Sequence, residues 1–241
     1  MGIHTTDVIV LRRYPYRETS VTVRCLSDRF GKLQGLVKGL RAQPSRHRSQ
    51  MEPMTINRIV FYDTRSSALH LISHCELLEP LTGLQQDLET FRRASRCVKL
   101  VDAIIPLEEP QPTGFALLKS TLGRLAEGGD DPWALEVHFM ARLLRLAGFK
   151  PQVDECAGCG TRVLGQGYWS VRQGGWLCAG CLHEDPQAAP TSPEVLGVLE
   201  HLSDADRLIP LERSLARALH TRLEEFLRWH LDKPVTKWQR G

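Results

Sequence analysis

Hydrophobic and polar positions follow two different periods along this chain. Through residues 1–80 the period is two. In Ser20-Val21-Thr22-Val23-Arg24-Cys25-Leu26, the side chains of Val21, Val23 and Cys25 face one way and those of Thr22 and Arg24 the other, the pattern of a half-buried strand. Val8-Ile9-Val10-Leu11 is a β-branched run, read as a strand that gives way to a loop containing Pro15. Asp28-Arg29-Phe30-Gly31 is a hairpin turn with glycine where a positive φ is wanted. The return strand is Lys32 to Gly39, whose glycines suit a bulge or a tight bend. Ile56–Tyr62 and Ala68–Ile72 make two more strands, joined by Asp63-Thr64-Arg65-Ser66-Ser67. Five strands within 80 residues predict a small, partly open barrel of the OB-fold kind.

From about residue 81 the period becomes that of helices. Leu84, Leu88, Phe91, Ser95 and Val98 recur at threes and fours, and the pattern runs to Ile105 before Pro106 stops it. Phe115–Leu125 is a second helix, ended by Gly128-Gly129. The third has Asp131 as N-cap, Pro132 in its first turn, Gly148 as stop, and a core face of Leu135, Phe139, Leu143 and Leu146. Ser192-Pro193 repeats the start signal for a helix through Leu202, and a final helix spans Leu211–Leu231 with Leu215, Leu219, Leu223, Phe226 and Leu227 on one face. The predicted class is therefore α+β and multidomain: a barrel over residues 1–80 and a helical domain over 81–241.

Charge sharpens this division. Residues 1–65 hold twelve Lys+Arg against five Asp+Glu, a net of +7, while the rest holds nineteen against twenty-three, a net of −4. A basic first third on a mildly acidic body points to a polyanionic partner, the alternative being an ordinary solvated face. No run approaches the ~18 apolar residues of a membrane helix, and no secretory leader is visible at the start, so a cytoplasmic location is expected.

Four of the seven cysteines form two Cys-x-x-Cys pairs, Cys156/Cys159 and Cys178/Cys181, separated by eighteen residues. Tetrahedral Zn²⁺ takes four thiolates at about 2.3 Å from different backbone directions, and this spacing is that of a zinc ribbon with a short hairpin between the pairs. Four thiolates close the coordination shell, which argues for a structural ion and against a catalytic one. His183 is a possible substitute ligand, and redox use would need a thioredoxin-like βαβ setting that the pattern does not offer. Residues 153–186 are read as a zinc-ribbon insert within the helical domain, stabilised by one Zn²⁺. Cys25, Cys75 and Cys97 sit in apolar patterns and are expected in the core.

The second chemical signal is the polar loop after Gly39, which carries Arg41, Arg46 and Arg48 and is bracketed by Lys32 and Lys38. Arg12, Arg13, Tyr14, Tyr16 and Arg17 follow the first strand, and Phe30 lies at a hairpin tip. Arginine offers paired hydrogen bonds to phosphate, and aromatics among cations suit stacking on unpaired bases. The candidate DNA-binding set is Arg12, Arg13, Tyr16, Lys32, Lys38, Arg41, Arg46 and Arg48. There is no Lys-Ser/Thr phosphate loop, no Gly-x-Ser-x-Gly and no His-Glu-x-x-His, so a non-enzymatic role is expected.

Gly35-Leu36-Val37-Lys38-Gly39, then Arg41, Ser45-Arg46, Arg48 and Gln50-Met51-Glu52-Pro53, resembles the signature of the bacterial DNA repair family RecO. Thr6-Asp7-Val8-Ile9-Val10-Leu11 with Tyr16 and Glu18-Thr19-Ser20 is similar to the family's opening. So is Phe139, Leu143-Leu144, Leu146-Ala147-Gly148-Phe149, Pro151, Cys156 and Cys159-Gly160 in its second half. The resemblance implies an OB-fold domain, a helical domain and a zinc-ribbon insert. It also implies a nucleoid-associated recombination mediator that binds single- and double-stranded DNA and anneals complementary strands. With RecR, such a protein helps to load the recombinase on strands coated by single-stranded-DNA-binding protein (SSB). By position, Lys38, Arg41, Arg46 and Arg48 fall in the basic loop, and the four cysteines match the family's cysteines. The alternative reading is a zinc-ribbon nucleic-acid adaptor in transcription or RNA processing.

Overall fold

The structure, a computed structural model, describes residues 2–41, 50–63, 69–162, 165–204 and 208–230, the side chains of 203 and 204 excepted. It divides into two compact units, Met1–Gly129 and Asp130–Gly241. The first two helices thus group with the barrel, whereas the pattern of the sequence places a boundary at residue 81.

The first unit is built on strands β1 (Ile3–Tyr16), β2 (Ser20–Ser27), β3 (Gly31–Val37), β4 (Ile56–Tyr62) and β5 (Leu69–Glu79). They close in the order β1-β2-β3-β5-β4, with every pair antiparallel except β3–β5. The barrel is closed rather than partly open because Gln34–Val37 pairs in parallel with Leu69–Ile72, covering edges that would otherwise be exposed. β1 serves two partners: Ile3–Ile9 pairs β4, and Val8–Tyr16 pairs β2, with a register shift between Val10 and Arg12. The expected loop at Pro15 is strand instead, with Pro15 opposite Val21. Residues 12–16 lie past the register with β4, so the missing proline N–H breaks no ladder on that side.

Val21, Val23 and Cys25 point inward as the alternation predicts, joining a core with Val8, Ile59 and Phe61. Gly31 adopts φ +70°, and a Cβ there would lie 2.1 Å from the Glu109 carbonyl oxygen. That close approach lets Leu107 bridge to Lys32 alongside β3. Helix α1 (Leu88–Ile104) is capped by Asp87, whose carboxylate accepts from the Thr90 amide at 2.8 Å, and α2 spans Pro112–Glu127. The buried face of α1 is Ala94, Cys97, Val98, Leu100 and Val101; Leu88 and Phe91, expected inside, are 62% and 38% exposed.

The second unit contains α3 (Pro132–Leu146), α4 (Pro193–Asp204) and α5 (Arg213–His230). Asp131 caps α3 by accepting from the amides of Trp133 and Ala134 at 2.9 and 3.2 Å. Leu135, Phe139 and Leu143 are buried as expected, whereas Leu146 is exposed. Leu231, the predicted end of the last helix, lies outside the described residues. Strands β6 (Gly167–Ser170), β7 (Gly175–Leu177) and β8 (Ala189–Thr191) form a small antiparallel sheet in the order β7-β6-β8. Among the described residues no helix is long and apolar enough to cross a membrane.

Candidate nucleic-acid interface and metal centre

The β6–β7 hairpin is what returns the chain to its first cysteine pair. The Trp176 amide donates to the Gln152 carbonyl at 2.8 Å and the Ala157 amide to the Trp176 carbonyl at 2.8 Å, fastening the first pair beside β7. Cys178 follows β7 directly, and its amide donates to the Cys156 Sγ at 3.3 Å. The four sulfurs of Cys156, Cys159, Cys178 and Cys181 all lie within 4.8 Å of one another, with Cys159 and Cys178 3.8 Å apart. Tetrahedral thiolate coordination at about 2.3 Å gives sulfur–sulfur edges of about 3.8 Å, so the cluster fits a metal ion.

The thiols are also prepared to lose protons unequally. Cys159 is lowered to about 6, chiefly by the Thr161 hydroxyl at 3.2 Å. Burial raises Cys156, yet the amides of Cys178, Cys159 and Gly158 outweigh it and lower the thiol below its ordinary value. Cys181 is raised, first through its hydrogen bond with Cys159, because one thiolate in the cluster holds the next proton in place. A bound cation would displace those protons. The other three cysteines are buried, and burial pushes the Cys25 thiol up, as for inert core residues.

On the barrel, the candidate cations divide into two groups. Lys32 is 6% exposed, and its ammonium donates to the Asp102 carbonyl oxygen at 2.6 Å; it is a strut between β3 and α1, not a surface phosphate ligand. The buried Asp102 carboxylate also accepts from Arg12 Nε and from Arg24 at 2.9 and 3.1 Å. Arg12 is raised although its burial opposes this, because the Tyr14 hydroxyl and Asp102 favour its charge. Arg13 pairs with Glu52, and burial followed by the nearby Arg41 charge lowers it. Phe30 is half-buried against Phe61 and His4, with ring centroids 5.3 and 5.0 Å away, so the core holds it rather than the hairpin tip.

The second group stays at the surface. Tyr16, Arg17, Lys38 and Gly39 line an open cleft of about 820 Å³ at the turn between β1 and β2. The Arg41 amide donates to the Thr19 carbonyl at 2.8 Å, which places the start of the basic loop beside that turn. Leu40 and Met51 are both buried in the barrel core and anchor the chain on either side of residues 42–49. Arg46 and Arg48 lie outside the described residues. Sequence reasoning missed Asp102 as the hub of three cations, since a lone acid on a helix carries no pattern. It also missed the continuation of β1 through Tyr16, for which the alternation Arg12, Tyr14, Tyr16 is a signal that Pro15 obscures.

A closed OB-type barrel with an exposed cationic and aromatic tip, followed by a helical unit with a four-cysteine cluster, defines a class of modular OB-barrel proteins. Residues 1–81 match the family described as recombination protein O N terminal, and residues 85–239 match recombination protein O C terminal. The chain belongs to the RecO family, and with it to DNA repair and recombination. It is 32% identical over 238 residues to the DNA repair protein RecO of Desulforudis audaxviator, covering 97% of this chain and 94% of that one. It is 30% identical to the RecO of Salinibacter ruber (96% and 89% covered) and 30% identical to that of Bacillus pumilus (84% and 78%).

Proposed function

We propose that this chain is a DNA-binding recombination mediator that acts without catalysis. It binds single- and double-stranded DNA on the barrel, anneals complementary strands, and works with RecR to load the recombinase on SSB-coated DNA at the cytoplasmic nucleoid. Its four cysteines hold one structural Zn²⁺, with residues 153–186 as the ribbon around it and residues 1–80 as the DNA-binding domain. The observation that carries the reading is the cleft where Tyr16, Arg17 and Lys38 meet beside Arg41. Cations gathered there neutralise phosphates and release counterions, so two polyanionic strands can be held close while base pairing drives their union.

Lys38→Glu combined with Arg41→Glu is expected to lower affinity for a labelled oligonucleotide at least tenfold and to slow annealing in proportion. Log affinity should fall linearly with log salt, losing roughly 0.7 in slope for each single-strand phosphate contact removed. Arg46→Glu with Arg48→Glu, in the same titration, tests the remainder of the basic loop. A wild-type affinity that does not change between dilute and concentrated salt would overturn the proposal. Annealing with and without SSB and RecR then tests the mediator role.

A further inference from the structure

β1 and β2 continue past the end of β4 as a two-stranded ribbon, Arg12–Tyr16 against Ser20–Arg24, with unbroken register. Val21 and Val23 fill its inner face. Its outer face is therefore Arg12, Tyr14 and Tyr16 on β1, opposite Arg24, Thr22 and Ser20 on β2. Tyr14 and Tyr16 are 45% and 38% exposed. Each ring has its own arginine: Arg12 donates to the Tyr14 hydroxyl at 3.2 Å, and the Arg17 guanidinium lies 5.3 Å from the Tyr16 ring centroid. Arg12 is itself held by Asp102, and Arg17 sits at φ 52°, a backbone conformation a non-glycine residue adopts only when its surroundings hold it. Both rings are thus supported before any ligand arrives.

We propose that Tyr14 and Tyr16 form a two-step stacking ladder for successive unpaired bases, and that this ladder distinguishes single strands from duplex. Residues two apart on a strand are separated by about 6.7 Å, twice the 3.4 Å rise between stacked bases of one strand. Neighbouring bases in a duplex cannot reach both rings without unstacking. A splayed single strand can, with its phosphates directed to Arg17 and Lys38 and away from Glu18, which lines the same cleft. Annealing then weakens the grip, because bases that stack on one another leave the tyrosines, and the duplex remains held by phosphate contacts alone. The inference rests on the DNA-binding reading above and adds to it the strand state that the ribbon recognises.

The test uses the full chain with an oligothymidine and a blunt duplex of equal length at one salt concentration. Tyr14→Ala and Tyr16→Ala should each weaken single-strand binding about tenfold, within the range of one base–aromatic stack, and weaken duplex binding by a clearly smaller factor. Tyr16→Phe should keep wild-type single-strand affinity, because the ring does the stacking, whereas Tyr14→Phe, which also loses the Arg12 hydrogen bond, should fall between wild type and Tyr14→Ala; thermal melting checks that each variant is folded. Equal losses on both DNA forms, no loss on either, or failure of Tyr16→Phe to keep binding overturns the ladder while leaving the phosphate site intact. Absence of wild-type binding even in dilute buffer instead removes the underlying DNA-binding reading.

Discussion

Inside the barrel, Val8, Val10, Val21, Val23, Ile59 and Phe61 are each no more than 3% exposed and pack on one another. Between residues 153 and 186, the buried large apolar side chains among the described residues are Val153, Trp169, Trp176 and Leu177. Each fully buried aliphatic or aromatic side chain contributes about 1.5–3 kcal/mol, so burial is the barrel's main source of stability. The cysteine module cannot draw on a core of that size, and its four sulfurs converge on one point instead. A fold held by area and a fold held by the proposed metal cross-link should therefore fail under different stresses.

The largest expected effect comes from removing the proposed metal ion. Chelation, or Cys156→Ser with Cys181→Ser, should abolish amide-exchange protection across residues 153–186 and alter the near-ultraviolet signal of Trp169 and Trp176, because metal binding and folding of so small a module are one event. Barrel amides and oligonucleotide affinity should change less than twofold. If barrel protection falls in parallel, the two regions are not independent in the way their cores suggest.

A smaller but reciprocal effect is expected on the barrel side. Asp102→Ala leaves Arg12, Arg24 and Lys32 without their shared, buried carboxylate and should cost about 3 kcal/mol in urea unfolding. The ion content of the cysteine module should stay at the wild-type level, measured by metal analysis.

The smallest effect belongs to the helical part of the second unit. Asp131→Ala removes the α3 cap and should cost about 1 kcal/mol. Partial burial raises the Asp131 carboxyl, but Arg213 and the Ala134 and Trp133 amides outweigh it and hold it below its ordinary value of 3.8. A depressed carboxyl stabilises the fold above its unfolded value and loses that contribution as pH falls through the folded one. Wild type and variant should therefore differ at pH 7 and converge as pH drops below about 3.8. A difference that persists unchanged in strong acid would place the effect in helix propensity instead.

Much of this architecture was legible from local pattern. The alternation in Ser20–Leu26, the Asp131-Pro132 start of α3 and the spacing of Cys156, Cys159, Cys178 and Cys181 each record a constraint acting over a few residues or fixed by metal geometry. α1 was harder, because apolar residues occur on two of its faces. Leu84 belongs to a separate 3₁₀ turn, and Asp87 restarts the chain as a new helix, leaving Leu88 and Phe91 in a first turn outside the core. Lys32 misled for the opposite reason: among surface-type residues its charge looked like a phosphate ligand, and its partner lies 70 positions away.

By itself the sequence determined where most of the strands and helices form, which residues of β2 face inward, and that four thiolates can share one ion. Those features follow from backbone periodicity and coordination chemistry, which act over short stretches of chain. Only the tertiary structure decided that β3 closes on β5, that Asp102 gathers three cations, and that Tyr14 and Tyr16 are left exposed. Each of these depends on which distant surfaces come together, and burial free energy settles that for the whole fold at once.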